Sequence, residues 1–409
     1  MIFINKNIAI IDADIIDNKK HRFPNLCCMK LSAYHKDAGD IVTLKTDYLN
    51  LEVFDKVYIS KVFTDTVIPC EPEDKTNKTC ENIENWYSTN EFLKSKNIEY
   101  GGTGFYYDKA PPLPYEIEHI KPDYHLYDEW VKSKISSGKK RKEFTYYLDY
   151  SIGFLTRKCF RKCSFCVNRN STHSVVASNF YEFYDESRPK ICFLDDNFFS
   201  HPDWKKLILP VIQSGKKFQF KQGLDERLLN KDKIKEMSKW KYDGDYIFAF
   251  DNIADKEVII SRLKLIIEEA PNIRNRLKFY VFCGYDRNNI YDEKFWHNDI
   301  QDLFERIYIL SKYGAKPYIM RYEKVYKSNY SSFYASIAAW CNQPAMFKTF
   351  TFRLYCQCRY MRQNGYKLYG RNVQEYLKQI GLKGVGWREM ERIENLLPNV
   401  AEKYYDFYE

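Results

Sequence analysis

The sequence predicts an α/β protein in three parts: a small Rossmann-like α/β domain over residues 1–130, a six-stranded parallel-sheet domain over 144–325, and a mainly helical region over 326–409. Three observations predict it. Strand and helix signals alternate in the first hundred residues, six short apolar runs recur between 144 and 322 with helical or loop segments between them, and the last eighty residues carry helical spacing rich in Tyr, Phe, Lys and Arg.

In the first part, "NIAIID" (7–12) is a short apolar run, "FPNLCCMKLSAYHKDAG" (23–39) has helical spacing and ends on Gly39, and "DIVTL" (40–44) and "DKVYISKV" (55–62) are strand-like. A polar stretch (70–85) follows, then "IEYGGTGF" (98–105), whose three glycines predict a tight turn. A Pro-rich crossing (110–125) leads to "VKSKISSGKKRK" (131–142), whose Ser, Gly and Lys composition predicts an exposed linker and a domain boundary. The six runs of the second part are "FTYYLDYSIGF" (144–154), "KICFLDD" (190–196), "KFQFKQG" (217–223), "DYIFAFD" (245–251), "LKFYVFCG" (277–284) and "AKPYIMRY" (315–322). Helical periodicity at 230–240 and 255–270 separates some of them, so a parallel sheet with right-handed crossovers is expected, open or curled into a partial barrel.

Composition narrows the class. Twelve cysteines in 409 residues are too sparse for a disulfide-stapled secreted scaffold, and the N-terminal stretch has no signal-peptide pattern, so a reducing cytoplasm is expected. No apolar run approaches the length of a membrane span. A net charge of +9, from 64 basic and 55 acidic residues, permits an anionic partner without demanding one.

In parallel sheets chemistry gathers at the carboxyl ends of the strands. Here those ends carry Asp195, Asp196 and Asn197; Gln222, Asp225 and Arg227; Asp251 and Asn252; Tyr285 and Asp286; and Arg321. The first run is followed by "CFRKCSFC" (159–166), in which Cys159, Cys163 and Cys166 stand at Cys-x3-Cys-x2-Cys spacing. Three thiolates in one short loop are soft ligands that select zinc, cuprous copper or an iron-sulfur cluster. A structural zinc site needs a second knuckle or paired histidines, and none is evident: Cys356 and Cys358 are one residue apart, and His173 stands alone. A cubane cluster held by only three thiolates leaves one iron open to another ligand.

The three cysteines, with the aromatic Phe165 before the last, resemble the signature loop of the radical S-adenosylmethionine (radical SAM) superfamily, placed after the first strand of a partial (β/α)6 barrel. The resemblance implies a 4Fe-4S cluster on Cys159, Cys163 and Cys166 whose open iron takes S-adenosylmethionine, with a reductant such as flavodoxin or ferredoxin as electron donor. "LDDNFF" (194–199) and "KQGLDERLL" (221–229) resemble strand-end segments of relatives with a cobalamin-binding-like domain ahead of the barrel. That implies cofactor contacts from Asp195, Asp196, Asn197, Gln222 and Arg227; Asp251, at the end of the fourth run, is counted with them. The first domain resembles the cobalamin-binding-like module but lacks its Asp-x-His-x-x-Gly loop, reading "DADIIDNKKHRFPN" instead, so bound cobalamin is not expected.

Near the C-terminus, "EYLKQIGLKGVGWREMERIENLLP" (375–398) resembles a helix-hairpin-helix, which would offer backbone N–H groups to nucleic-acid phosphates. The expected function is a radical SAM enzyme whose substrate is unknown, nucleic acid or a nucleotide being candidates. The competing classes are a zinc-stabilised nucleic-acid-binding protein and a non-catalytic iron-sulfur sensor.

Overall fold

The computed structural model describes residues 5–18, 20–73, 78–79, 82–363 and 385–407. The chain divides into two compact units, Met1–Lys221 and Gln222–Glu409.

The first unit opens on a four-stranded parallel sheet of β1 (Asn7–Asp12), β2 (Ile41–Lys45), β3 (Lys56–Ser60) and β4 (Ile98–Gly101), in the order β2-β1-β3-β4. The central strand β1 is buried on both faces. Ile8 and Ile10 pack with Met29, Leu31 and Tyr127, while Ala9 and Ile11 pack with Val57, Ile59 and Phe105. Successive side chains point to opposite faces, so a strand covered on both sides reads as an unbroken apolar run. The crossover helix Leu26–Asp37 starts where Asn25 Oδ1 accepts from the N–H groups of Cys27 (3.0 Å) and Cys28 (3.3 Å). The edge where β1 and β3 end is cross-linked by the protein itself. Tyr127 donates to Asp12 (2.7 Å), Asp14 accepts from the Val62 N–H (2.8 Å) and the Thr66 hydroxyl (2.6 Å), and Asn25 Nδ2 donates to Ser60 (2.9 Å).

Next come β5 (Tyr150–Gly153), the two-residue strands β6 (Thr156–Arg157) and β7 (Val175–Val176), β8 (Lys190–Phe193) and β9 (Lys217–Phe220). Strands β5, β8 and β9 form a parallel sheet in the order β5-β8-β9, and β6 pairs antiparallel with β7. Two local readings of the sequence are corrected here. Residues 131–136, expected as linker, belong to the helix Asp128–Ser136, which buries Val131 and ends before Gly138 at φ +94°. Thr145–Leu148, expected as strand, is a helical turn, and β5 begins only at Tyr150.

The second unit holds a parallel sheet of β10 (Tyr246–Ala249), β11 (Leu277–Cys283) and β12 (Lys316–Arg321), in that order, with helices at Lys231–Lys239, Lys256–Glu269 and Glu293–Lys312. Arg306, 2% exposed, donates from Nη1 to the carbonyls of Phe250 and Phe282, both at 2.9 Å, and so ties together the carboxyl ends of β10 and β11. Asp299 accepts from the Gly284 N–H (3.0 Å) and the Tyr334 hydroxyl (2.5 Å). Helices Ser331–Cys341, Phe352–Gln363, Val385–Leu396 and Pro398–Tyr404 follow, and Phe304, Phe333, Phe352 and Tyr405 interlock with ring centroids 5.3 to 6.5 Å apart. Of the expected helix-hairpin-helix, residues 375–384 lie outside the described residues, while 385–396 are helical.

Candidate functional site

The cysteine loop leaves the sheet at the carboxyl end of β5. Gly153 makes that exit: a Cβ there would stand 2.3 Å from the Phe183 ring, so only glycine fits. The next turn is captured by the end of β8. Asp195, fully buried, accepts from the N–H groups of Leu155 (3.0 Å) and Thr156 (2.7 Å) and from the Thr156 hydroxyl (2.8 Å). Burial pushes its carboxyl up to about 7, against the pull of those hydrogen bonds. Asp196 accepts from the Lys158 N–H (2.7 Å), and Asn197 Nδ2 donates to Cys159 Sγ (3.3 Å). These residues, expected to meet S-adenosylmethionine, brace the loop.

The pairing of Thr156 with Val176 closes the base of the loop. Within it Lys158 (φ +71°) and Lys162 (φ +52°) take the left-handed conformation, which costs a residue with a Cβ and persists only where surrounding contacts impose it. All three cysteines are half-buried and none forms a disulfide. Backbone N–H groups are aimed at sulfur: Arg161 N–H reaches Cys159 Sγ at 3.5 Å and Asn168 N–H reaches Cys166 Sγ at 3.4 Å. The Cys166 N–H donates to the Cys163 carbonyl (2.9 Å), and burial raises the Cys166 thiol above its usual range. Phe165 is half-buried, and its carbonyl accepts from the Tyr107 hydroxyl (2.7 Å).

The remaining predicted residues belong to the second unit. Gln222 is exposed. Arg227 is committed to carboxylates, with Nε 2.9 Å from Asp225 and Nη1 3.1 Å from Asp255. Asp251 accepts from the Phe282 N–H (3.1 Å), and burial raises its carboxyl. Sequence reasoning missed Glu226, 1% exposed, whose carboxyl is pushed up to about 8 by burial and by neighbouring Asp225. It also missed Thr156, Tyr107 and Asp108, because no periodicity marks a side chain whose partner lies tens of residues away.

The loop fits an iron-sulfur cluster in the chemistry of its donors: three soft thiols, with N–H groups that stabilise anionic sulfur. Among the described residues, no group of three or more His, Cys, Asp or Glu side chains is gathered to hold a metal ion, so the fit is one of ligand type and loop support. No helix among the described residues is long and apolar enough to cross a membrane. No protein-family model matches the chain, and no curated protein or solved structure matches it either.

Proposed function

We propose that this chain is a radical SAM enzyme, with Cys159, Cys163 and Cys166 as the residues that would hold a 4Fe-4S cluster. The observation that carries the reading is a Cys-x3-Cys-x2-Cys loop rising from the carboxyl end of a parallel strand and laced down by the next strand's Asp195, Asp196 and Asn197. Bound together, the cluster and S-adenosylmethionine supply a 5'-deoxyadenosyl radical that abstracts hydrogen from substrate. The protein's part is to hold the loop. Asp195 fixes the stem at Leu155 and Thr156, Asp196 fixes the strained Lys158, and the N–H groups of Arg161 and Asn168 and the Asn197 amide offset the charge of deprotonated sulfur. The reading carries with it the partial (β/α)6 barrel fold expected from the sequence. It leaves the substrate open, with nucleic acid or a nucleotide as candidates, and calls for a flavodoxin- or ferredoxin-like reductant.

Anaerobic reconstitution tests it. The expected product is a brown protein with about four iron and four sulfide per chain that cleaves S-adenosylmethionine to 5'-deoxyadenosine on reduction. Cys163→Ala loses both properties, and Cys356→Ala, at a buried helical position, keeps both. Stoichiometric zinc in a colourless protein that takes up no iron overturns the reading in favour of a structural metal site.

A further inference from the structure

We infer that the segment after β4 is a strap that positions Cys166, with Tyr107 and Asp108 as its positioning residues; as a statement about a cluster ligand, this rests on the function proposed above.

The strap is rooted in the first sheet. Lys61 N–H donates to the Gly101 carbonyl (3.1 Å), Gly104 N–H donates to the Lys61 carbonyl (2.9 Å), and the Thr103 hydroxyl donates to the Val62 carbonyl (2.8 Å). The close approach depends on two glycines. A Cβ on Gly102, at φ +109°, would lie 2.3 Å from the Lys61 carbonyl oxygen, and one on Gly104 would lie 2.5 Å from Lys61 Cγ. From this root the chain reaches Tyr107, held at φ +50° and ψ −115°, a conformation costly for a residue with a side chain.

What the strap holds is the last third of the cysteine loop. The Tyr107 hydroxyl donates to the Phe165 carbonyl (2.7 Å), whose own peptide supplies the Cys166 N–H that donates to Cys163. That peptide is therefore gripped at both ends. On the far side of Cys166, Asp108 Oδ2 accepts from Arg169 Nε and Asn170 Nδ2, each at 2.8 Å, and the Arg169 guanidinium lies 5.4 Å from the centre of the Tyr107 ring. Asp108 is nearly enclosed, its side chain 6% exposed. Charge-assisted bonds of this kind are shorter and stronger than neutral ones. The loop thus has two independent anchors. The end of β8 holds the Cys159 side through Asp196 and Asn197, and the strap holds the Cys166 side.

The two anchors are separable by the reactivity of individual thiols. The full-length chain, purified anaerobically without added iron, is treated with iodoacetamide, and alkylation of each cysteine is followed by peptide mass spectrometry. Tyr107→Phe and Asp108→Asn are each expected to raise the rate at Cys166 about five-fold, the change that losing one such hydrogen bond makes in a local opening equilibrium. Cys159 and the buried Cys192 keep their rates. Asp196→Asn gives the reciprocal pattern, faster at Cys159 and unchanged at Cys166. An unchanged Cys166 rate in both strap variants overturns the inference, and so does a parallel rise at Cys159, Cys166 and Cys192, which would mean general loosening. The measurement needs no iron, so a chain that never takes up a cluster would refute the enzyme reading while leaving this result to stand or fall alone.

Discussion

At the scale of single residues, Asp195 is the carboxylate that holds the stem of the cysteine loop. Its two oxygens take three donors from the stem of the cysteine loop, and burial lifts its carboxyl from 3.8 to about 7. The folded chain therefore keeps a proton that the unfolded chain releases across that window. The group's contribution to stability is full below pH 3.8 and is lost as pH rises through about 7. Asp195→Asn cannot titrate. The melting-temperature gap between wild type and variant, measured from pH 4 to pH 8, is expected to shrink as pH rises, and a constant gap would contradict this account. The cysteine spacing was legible in the sequence because its signal is local. The role of Asp195 was not, since a strand-end carboxylate reads the same whether its donors are a ligand's or a neighbouring turn's. Tyr107 and Asp108 were invisible for another reason: their partners lie 58 and 61 residues away along the chain.

At the scale of elements, the strands were the most readable feature. Parallel strands leave largely apolar runs, unbroken in β1 where both faces are covered, and β1, β8 and β11 each fall inside the run that predicted them. Tyr146 and Tyr147 misled because aromatic residues favour strands, yet here they lie in a helical turn whose Tyr147 is buried against Trp130 and Tyr127. The Lys and Ser residues of 132–137 hid a helix because they are mainly its solvent face, with Val131 on the buried one. Two predictions belong here. Gly153→Ala forces a methyl into the Phe183 ring and is expected to cost about 1–3 kcal/mol in thermal or denaturant melts, with Phe183→Leu in the same chain recovering part of the loss. Arg306→Met leaves the Phe250 and Phe282 carbonyls without their buried donor. A loss of about 2–4 kcal/mol is expected, and a variant as stable as wild type would show that the strand ends do not depend on this guanidinium.

At the scale of the whole molecule, the division after Lys221 left no mark in the sequence, because "KFQFKQGLDERLL" passes through it with a single glycine and no proline. The stretch that did look like a boundary, 131–142, lies inside the first unit. Net charge is a whole-molecule property, and at +9 it makes a nucleic-acid substrate testable: retention of single-stranded RNA in gel shifts is expected to fall steeply between low and physiological salt as counterions are regained. No retention at low salt removes nucleic acid from the candidates. The glycine-rooted strap bears finally on heredity. If residues 107–108 and 165–170 form one mechanical unit, they cannot drift separately. In a randomised library selected for iron retention, Arg169→Glu will survive chiefly beside a basic replacement of Asp108. Any lineage that keeps the cysteine loop is then bound to keep the sheet from which the strap grows.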